Sequence, residues 1–389
     1  MRWRALSLTR RHSGRSGPNA VGPSAPGGRA PPTRQTFLLF ALPICNLVAA
    51  LAISGLIIRL IGEHPLHALR ILTAGAFGSG DAIGYTLYYA TNYMFTGLSV
   101  AVAYHAGLFN IGAEGQAYIG GLCTGLVCLW AGAWPFAVVL PLAIAAGAVG
   151  GAGWAFLPAY LQAKRGSHIV ITTIMFNFLA SALMTYLLVN VLIKSGQQSP
   201  ETREFLPHAW VPTAASMLGR FGSSFATSPL NFAFILALLA SGGVWVLVWH
   251  TRWGYAVRVT GQNASAALYG GISPAGITIA AMLLSGALAG CLGLNELMGA
   301  QHRISLDFPA GAGFVGIAVA LMGRNHPIGI FLAAILFGAL IQGGSELSFE
   351  IPHINRDMVI VIQGLVILFC GALENIFKRP LLSLWRRTP

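Results

Sequence analysis

Residues 115–163 read GQAYIGGLCTGLVCLWAGAWPFAVVLPLAIAAGAVGGAGWAFLPAYLQA: 49 consecutive residues without one Asp, Glu, Lys or Arg. A bilayer core takes about 20 residues of helix, so the stretch is too long for one crossing. Trp134-Pro135 supplies an interfacial aromatic and a break near its middle. Two antiparallel membrane helices are predicted, and the rest of the chain repeats the pattern. Charged residues are 9% of the 389, against about 25% in soluble domains. Further spans are predicted near 37–58, 83–104, 169–193, 230–250, 276–295, 310–323, 327–343 and 357–376. With 115–133 and 135–159 from the opening stretch, they give an all-α polytopic membrane protein of about ten transmembrane helices. The run 308–323 is short, opens with Pro309 and carries Gly311, Gly313 and Gly316, which suits a broken or re-entrant helix.

The net charge of +12 does not indicate nucleic acid, because the basic residues are dispersed in short loops and tails. Residues 1–36 hold seven arginines and no acid and read as a disordered cytoplasmic tail. Residues 37–377 form the transmembrane body, with a cytoplasmic loop at 251–275 and an external loop at 195–229. Residues 378–389 form a second basic cytoplasmic tail. With both termini inside, Lys164, Arg165, Arg252, Arg258 and Arg324 fall on the cytoplasmic side, as the positive-inside rule requires. The five cysteines, Cys45, Cys123, Cys128, Cys291 and Cys370, lie in apolar segments without a CxxC and read as core thiols.

The chain offers catalysis little foothold. Its lysines, Lys164, Lys194 and Lys378, do not follow glycine, so no Walker A phosphate cradle can form. There is no HExxH. His64 and His67 read as solvated loop residues, and no metal site is expected.

Four features remain. Gly107-Leu-Phe-Asn-Ile-Gly-Ala-Glu-Gly-Gln116 is a glycine-rich break carrying an acid, and such backbone at membrane depth must be buried in protein or line a cavity. Glu114 could equally cap the helix it opens. Ile169-Val-Ile-Thr-Thr-Ile-Met-Phe-Asn-Phe178 places Thr172, Thr173 and Asn177 where they serve a pathway or interhelical hydrogen bonds. Arg252 to Ile272 is too polar to span, and within it Asn263 to Tyr269 reads as a short helix with Asn263 as N-cap and Gly270 as terminator. Phe314 to Gly329 is a short span ending in the basic turn Gly-Arg-Asn-His. The amides Asn92, Asn177, Asn295 and Gln363 suit hydroxyls and base edges. Tyr85, Tyr88, Tyr89, Tyr93, Phe176 and Phe178 offer ring faces, with core packing as the alternative use.

Phe109-Asn-Ile-Gly-Ala-Glu-Gly-Gln116, the Arg252–Ile272 loop and Gly316-Ile-Ala-Val-Ala-Leu-Met-Gly-Arg-Asn325 together resemble the permease subunits of ABC importers of the branched-chain amino acid and ribose class. The resemblance covers roughly residues 80–375 and is strongest to nucleoside and simple-sugar permeases. It implies two inverted halves, around spans 2–5 and 7–10, and a solute path between two permease subunits, as a homo- or heterodimer. It implies a separate ATPase that holds ATP and Mg, an extracytoplasmic solute-binding lipoprotein, and a lipid-embedded place in a bacterial inner membrane. Arg252, Gly254, Arg258, Gly261, Asn263, Ala266, Ala267 and Gly270 would couple to the ATPase. Asn110, Gly112, Glu114, Gly115 and Gln116 match the family signature near the pathway, and Asn92, Tyr93, Phe176, Asn177, Asn295 and Glu296 are the expected lining. A permease for a simple sugar or a branched-chain amino acid is the nearest alternative. An ion-coupled transporter using Glu114 or Glu296, and a membrane-embedded enzyme, are the readings from other classes.

Overall fold

The computed structural model describes residues 32–194, 196–219, 227–351 and 353–369. Most of the expected N-terminal tail, the whole C-terminal tail, Cys370 and the end of the last expected span lie outside the described residues. Regular structure among the described residues is helical, apart from the isolated bridges Glu201–Ser305 and Thr213–Asn231. The helices are α1 Pro32–Leu60, α2 Pro65–Phe77, α3 Gly80–His105, α4 Ala113–Ala131, α5 Phe136–Arg165, α6 Ile169–Asn190, α7 Ala214–Leu218, α8 Ala233–His250, α9 Arg252–Gln262, α10 Ala264–Tyr269, α11 Pro274–Gly290, α12 Ala312–Met322, α13 Pro327–Glu350 and α14 Arg356–Ile367. By length and composition, α5, α6, α8, α13 and the stretch Pro274–Gln301 are apolar enough to cross a membrane. Helices α3 and α4, of 26 and 19 residues, are long enough but carry buried polar side chains such as Asn92, Thr96, Glu114 and Gln116.

The break at Trp134-Pro135 forms as the sequence predicts, because Pro135 precedes α5 and cannot continue α4. Helix α12 has 11 residues, about 16 Å of helix against a bilayer core of about 30 Å. It can reach only half-way. Beyond α11 the chain widens into a π-type turn at Leu294–Gln301, a form that gathers at functional sites.

One sequence expectation needs correction, and two loops gain detail. His67 sits on α2 and His64 is its N-cap position, so the supposed first loop is a helix started by Pro65. The polar loop 251–275 holds α9 in addition to the expected short helix, α10. The described part of loop 195–229 is packed onto the bundle along much of its length. Its backbone is stitched to the 298–305 segment through Thr202 N to Ile304 O (3.0 Å), Phe205 N to His302 O (2.7 Å) and Val211 N to Met298 O (3.0 Å), and Phe205, Ala209 and Val211 are buried.

Small residues set the spacing of the central helices. Gly120 of α4, Gly147 of α5 and Gly290 of α11 meet backbone to backbone. A Cβ at Gly120 would lie 2.8 Å from the Gly147 carbonyl oxygen, so a larger side chain would force the three helices apart. Helix α5 packs along α11, and α13 packs along α3. Of the cysteines, Cys128 is buried, while Cys45, Cys123 and Cys291 are half-buried free thiols.

Two apolar clusters mark opposite ends of the bundle. At one, Ala103, Ala106, Ala159, Ile169, Val257 and Met282 join the ends of α3 and α5 to the start of α6, the first half of α11 and α9. Segments 163–168, 251–275 and 323–326, which carry Lys164, Arg165, Arg252, Arg258 and Arg324 and no acid, belong to this basic end. At the other, Ile58, Ala68, Leu347, Ile354 and Ile362 join α1, α2, α13 and α14.

Candidate functional site

The glycine-rich break does not lie on the surface. Asn110 Nδ2 donates to Ser285 Oγ at 2.8 Å, and Ser285 Oγ donates to the Ser99 carbonyl at 2.7 Å. Ser99 lies six residues before the end of α3, about 9 Å of rise, so the chain leaves α3 at His105 and turns back into the bundle before α4 begins. Asn110 holds that turn by accepting from Gly112 N at 2.8 Å and donating to Gln116 Oε1 at 2.9 Å. Asn177 of α6 closes it from the side, accepting from Gly115 N and donating to the Ile111 carbonyl, each at 2.9 Å. Backbone at a membrane-buried helix start has no water to bond, and these side chains replace it.

Glu114 does not cap its own helix. Its carboxylate crosses to α12 and accepts from Gly311 N at 3.0 Å and Gly313 N at 2.7 Å. A buried helix N-terminus is a site for an anion, and here a side chain of the same chain supplies it. Gly313 permits the approach, since a Cβ there would come within 2.5 Å of the Glu114 Cα. The starts of α4 and α12, two helices that begin inside the bundle, are thereby tied.

A second polar cluster lies further along α3. Asn92 Nδ2 donates to Glu296 Oε1 at 2.5 Å. Asn295 Nδ2 donates to Asn92 Oδ1 at 2.8 Å, and Asn295 Oδ1 accepts from Asn231 Nδ2 at 2.9 Å. Gln301 Nε2 reaches the other Glu296 oxygen at 3.2 Å. Asn92, Asn231, Asn295 and Glu296 are all buried. Asn92, Thr96 and Ser99 lie at i, i+4 and i+7, one face of α3, and Thr96 abuts Gly316 of α12. A single polar face of α3 therefore joins the two clusters over about 10 Å.

The expected lining residues divide. Asn92, Asn295 and Glu296 come together, whereas Asn177 belongs with the Asn110–Gln116 turn. Tyr93, next to Asn92 in the chain, packs edge-on against Phe337, ring centroids 6.5 Å apart, and Phe176, next to Asn177, lies against Trp154 at 5.3 Å. Asn231 escaped the sequence reading because it stands at the end of a loop, and a lone Asn before an apolar run reads only as a helix cap.

At the basic end, Thr251 Oγ1 accepts from Gly254 N at 3.0 Å and starts α9. Asn263 ends α9 and caps α10, its Oδ1 accepting from Ala266 N at 3.0 Å, while Gly270 N bonds the Ala266 carbonyl at 3.1 Å and closes the helix. The α10 residues are not equivalent. Ala267 is fully buried, Ala266 is exposed, and Leu268 and Tyr269 are 65% and 95% exposed. Gly261 rests on the turn after α3, where a Cβ would sit 2.8 Å from Gly107 N. Arg258 and Gly261 border, with His105, Gly107 and Phe109, a cavity of about 530 Å3. Arg252 is exposed. His105 Nε2 lies 3.0 Å from the Asn325 carbonyl and edge-on to Trp249 at 5.0 Å. The ends of α3, α8 and α12 are thus fastened beside α9. Among the described residues no three His, Cys, Asp or Glu side chains converge as a metal site.

Residues 82–371 match the family described as the branched-chain amino acid transport system permease component, and the chain belongs to it. It is 33% identical to a glucose ABC transporter permease of Haloferax volcanii, over 89% of this chain and 90% of that one. It is also 33% identical to a guanosine ABC transporter permease of Bacillus subtilis, over 85% and 92%. A nucleoside ABC transporter permease of Lactococcus lactis is 32% identical over 84% and 89%. No solved structure matches.

Proposed function

We propose that the chain is the permease subunit of an ATP-driven ABC importer that carries a small neutral polar solute, a nucleoside, across a bacterial inner membrane. One observation carries the reading: a polar face of α3, made of amides and hydroxyls, runs through a bundle whose helices α3, α4, α6, α8, α11, α12 and α13 contain no Lys or Arg. Amides and hydroxyls can exchange hydrogen bonds with a sugar or a base without net charge, and an anion would meet no compensating cation in the low-dielectric interior. The guanosine and nucleoside relatives support the choice of solute, and the glucose relative supports a simple sugar as the second reading.

The fold in this reading has ten crossings, α1, α3, α4, α5, α6, α8, α11 with its π turn, the half-length α12 completed by the non-helical segment 302–311 before it, α13 and α14, with α2 lying at one end. Pairing α3–α6 with α11–α14 exchanges the α5–α11 contact with the α3–α13 contact, which supports two inverted halves. The basic end faces the cytoplasm with both termini, and α10 docks on an ATPase subunit that holds ATP and Mg. Arg252, Gly254, Arg258, Gly261, Asn263, Ala266, Ala267 and Gly270 build or flank that docking element. A second permease subunit and an extracytoplasmic binding lipoprotein complete the importer.

Labelled uridine and adenosine uptake by cells expressing the whole transporter checks the solute. Unlabelled nucleosides are expected to compete, and ribose, leucine and phosphate are not. Competition by glucose without competition by nucleosides would move the assignment to a sugar, and competition by leucine or phosphate alone would end it.

A further inference from the structure

Helices α1, α2, α13 and α14 enclose a groove of about 650 Å3 whose walls include Ala52, Leu56, Leu69, Leu347 and Ile362, with Arg59 at one end. Its volume lies in the range of about 300–1,000 Å3 typical of small-molecule sites. Its mouth is apolar, with Leu56 and Leu66 exposed at 59% and 83%, and the Ser54 hydroxyl is turned away onto the Ala50 carbonyl at 2.8 Å. Arg59 is the only charged residue on the lining. The nearby acid, Glu63, is engaged by His353 Nδ1 at 3.1 Å and does not serve Arg59.

An apolar cleft in a membrane protein that ends in a cation with no carboxylate partner among the described residues is complementary to one ligand chemistry: a hydrocarbon chain ending in an anion. We propose that this groove is a binding site for an anionic phospholipid, one acyl chain lying between α1 and α2 and its phosphate on the Arg59 guanidinium. The guanidinium offers the planar donor fork that matches phosphate, and each CH2 of the chain leaves water or looser lipid for packed side chains. Closure at the Arg59 end is built in, since a Cβ on Gly55 would stand 3.4 Å from the Pro65 Cβ. That contact fixes where α1 and α2 converge and where the head group must emerge. Headgroup selectivity follows from one basic side chain near a membrane surface, about five-fold, which is about 1 kcal/mol.

The test uses the full-length chain in its assembled transporter, in nanodiscs of equal phosphatidylcholine and phosphatidylglycerol, with a photoreactive benzophenone amino acid in place of Leu69. Mass spectrometry of the adduct is expected to show phosphatidylglycerol over phosphatidylcholine by about five-fold. Arg59→Gln should bring the ratio to about one, because the apolar groove remains while the cation is gone. Ala52→Phe, which fills the groove, should reduce both adducts. Added inorganic phosphate should leave them unchanged, because a free anion lacks the chain. Equal adducts of the two lipids with Arg59 present, an Arg59→Gln ratio unchanged from the parent, or crosslinking to a neighbouring polypeptide instead of lipid would each overturn the proposal.

Discussion

Replacing Leu268 and Tyr269 by aspartate is expected to reduce recovery of the ATPase with the purified complex by about 30-fold and to abolish uptake, while the chain still inserts and accumulates. Both side chains are largely exposed on α10, Tyr269 almost wholly, and aromatic anchors such as Tyr carry much of the energy of protein interfaces. A charge at each would have to be desolvated on docking. Ala266 and Ala267 look equivalent in the sequence, yet Ala267 is fully buried. Ala267→Asp would bury a carboxylate and unfold the element, so it does not report on docking. On the proposed docking, load on α10 would pass inward, since α9 and α10 share Asn263 and Gly261 rests on the turn that ends α3. Unchanged ATPase recovery in the Leu268 and Tyr269 double variant would place the docking surface elsewhere.

Glu114→Ala is expected to lower uptake by at least about 100-fold. Hydrogen bonds to a charged group are worth about 1.5–3 kcal/mol each, and two are lost at Gly311 and Gly313, leaving the start of α12 unsatisfied inside the bundle. Glu114→Gln should be milder, about ten-fold. It keeps one acceptor oxygen, but its amide NH2 faces a second N–H donor. The graded pair separates this role from proton coupling, in which Gln and Ala would be equally inactive because neither carries a proton. Uptake equal to the parent in Glu114→Ala would mean that the α4–α12 tie has no part in transport.

How much of this could be read from the letters depends on the range of each interaction. Local chemistry was legible: Asn263 as a cap, Gly270 as a stop, Pro135 as a break and the short α12 were all expected, and each is decided within a few residues. The bond from Glu114 to Gly311 and Gly313 spans nearly 200 positions, and no spacing rule connects them. The sequence offered only that a carboxylate inside an apolar run must find donors. The same limit scattered the lining set, because periodicity tells which face of α3 carries Asn92 but not that Asn231 and Asn295 meet it. Helix α2 was missed for another reason. Pro65 and the histidines beside it look like loop chemistry, while the residues that hold α2 in place, Ala68 and Ile71, are buried by the neighbouring α1 together with α13 and α14 from far along the chain.

The energy source decides between an ATP-driven permease and an ion-coupled transporter. The direct measurement is uridine accumulation in proteoliposomes holding this chain, its second permease subunit and the ATPase, with the binding protein outside and ATP inside. Accumulation should require internal ATP and persist when a protonophore collapses every proton gradient. Accumulation driven by an imposed proton or sodium gradient without ATP would contradict it, and would return Glu114 and Glu296 to the role of ion sites.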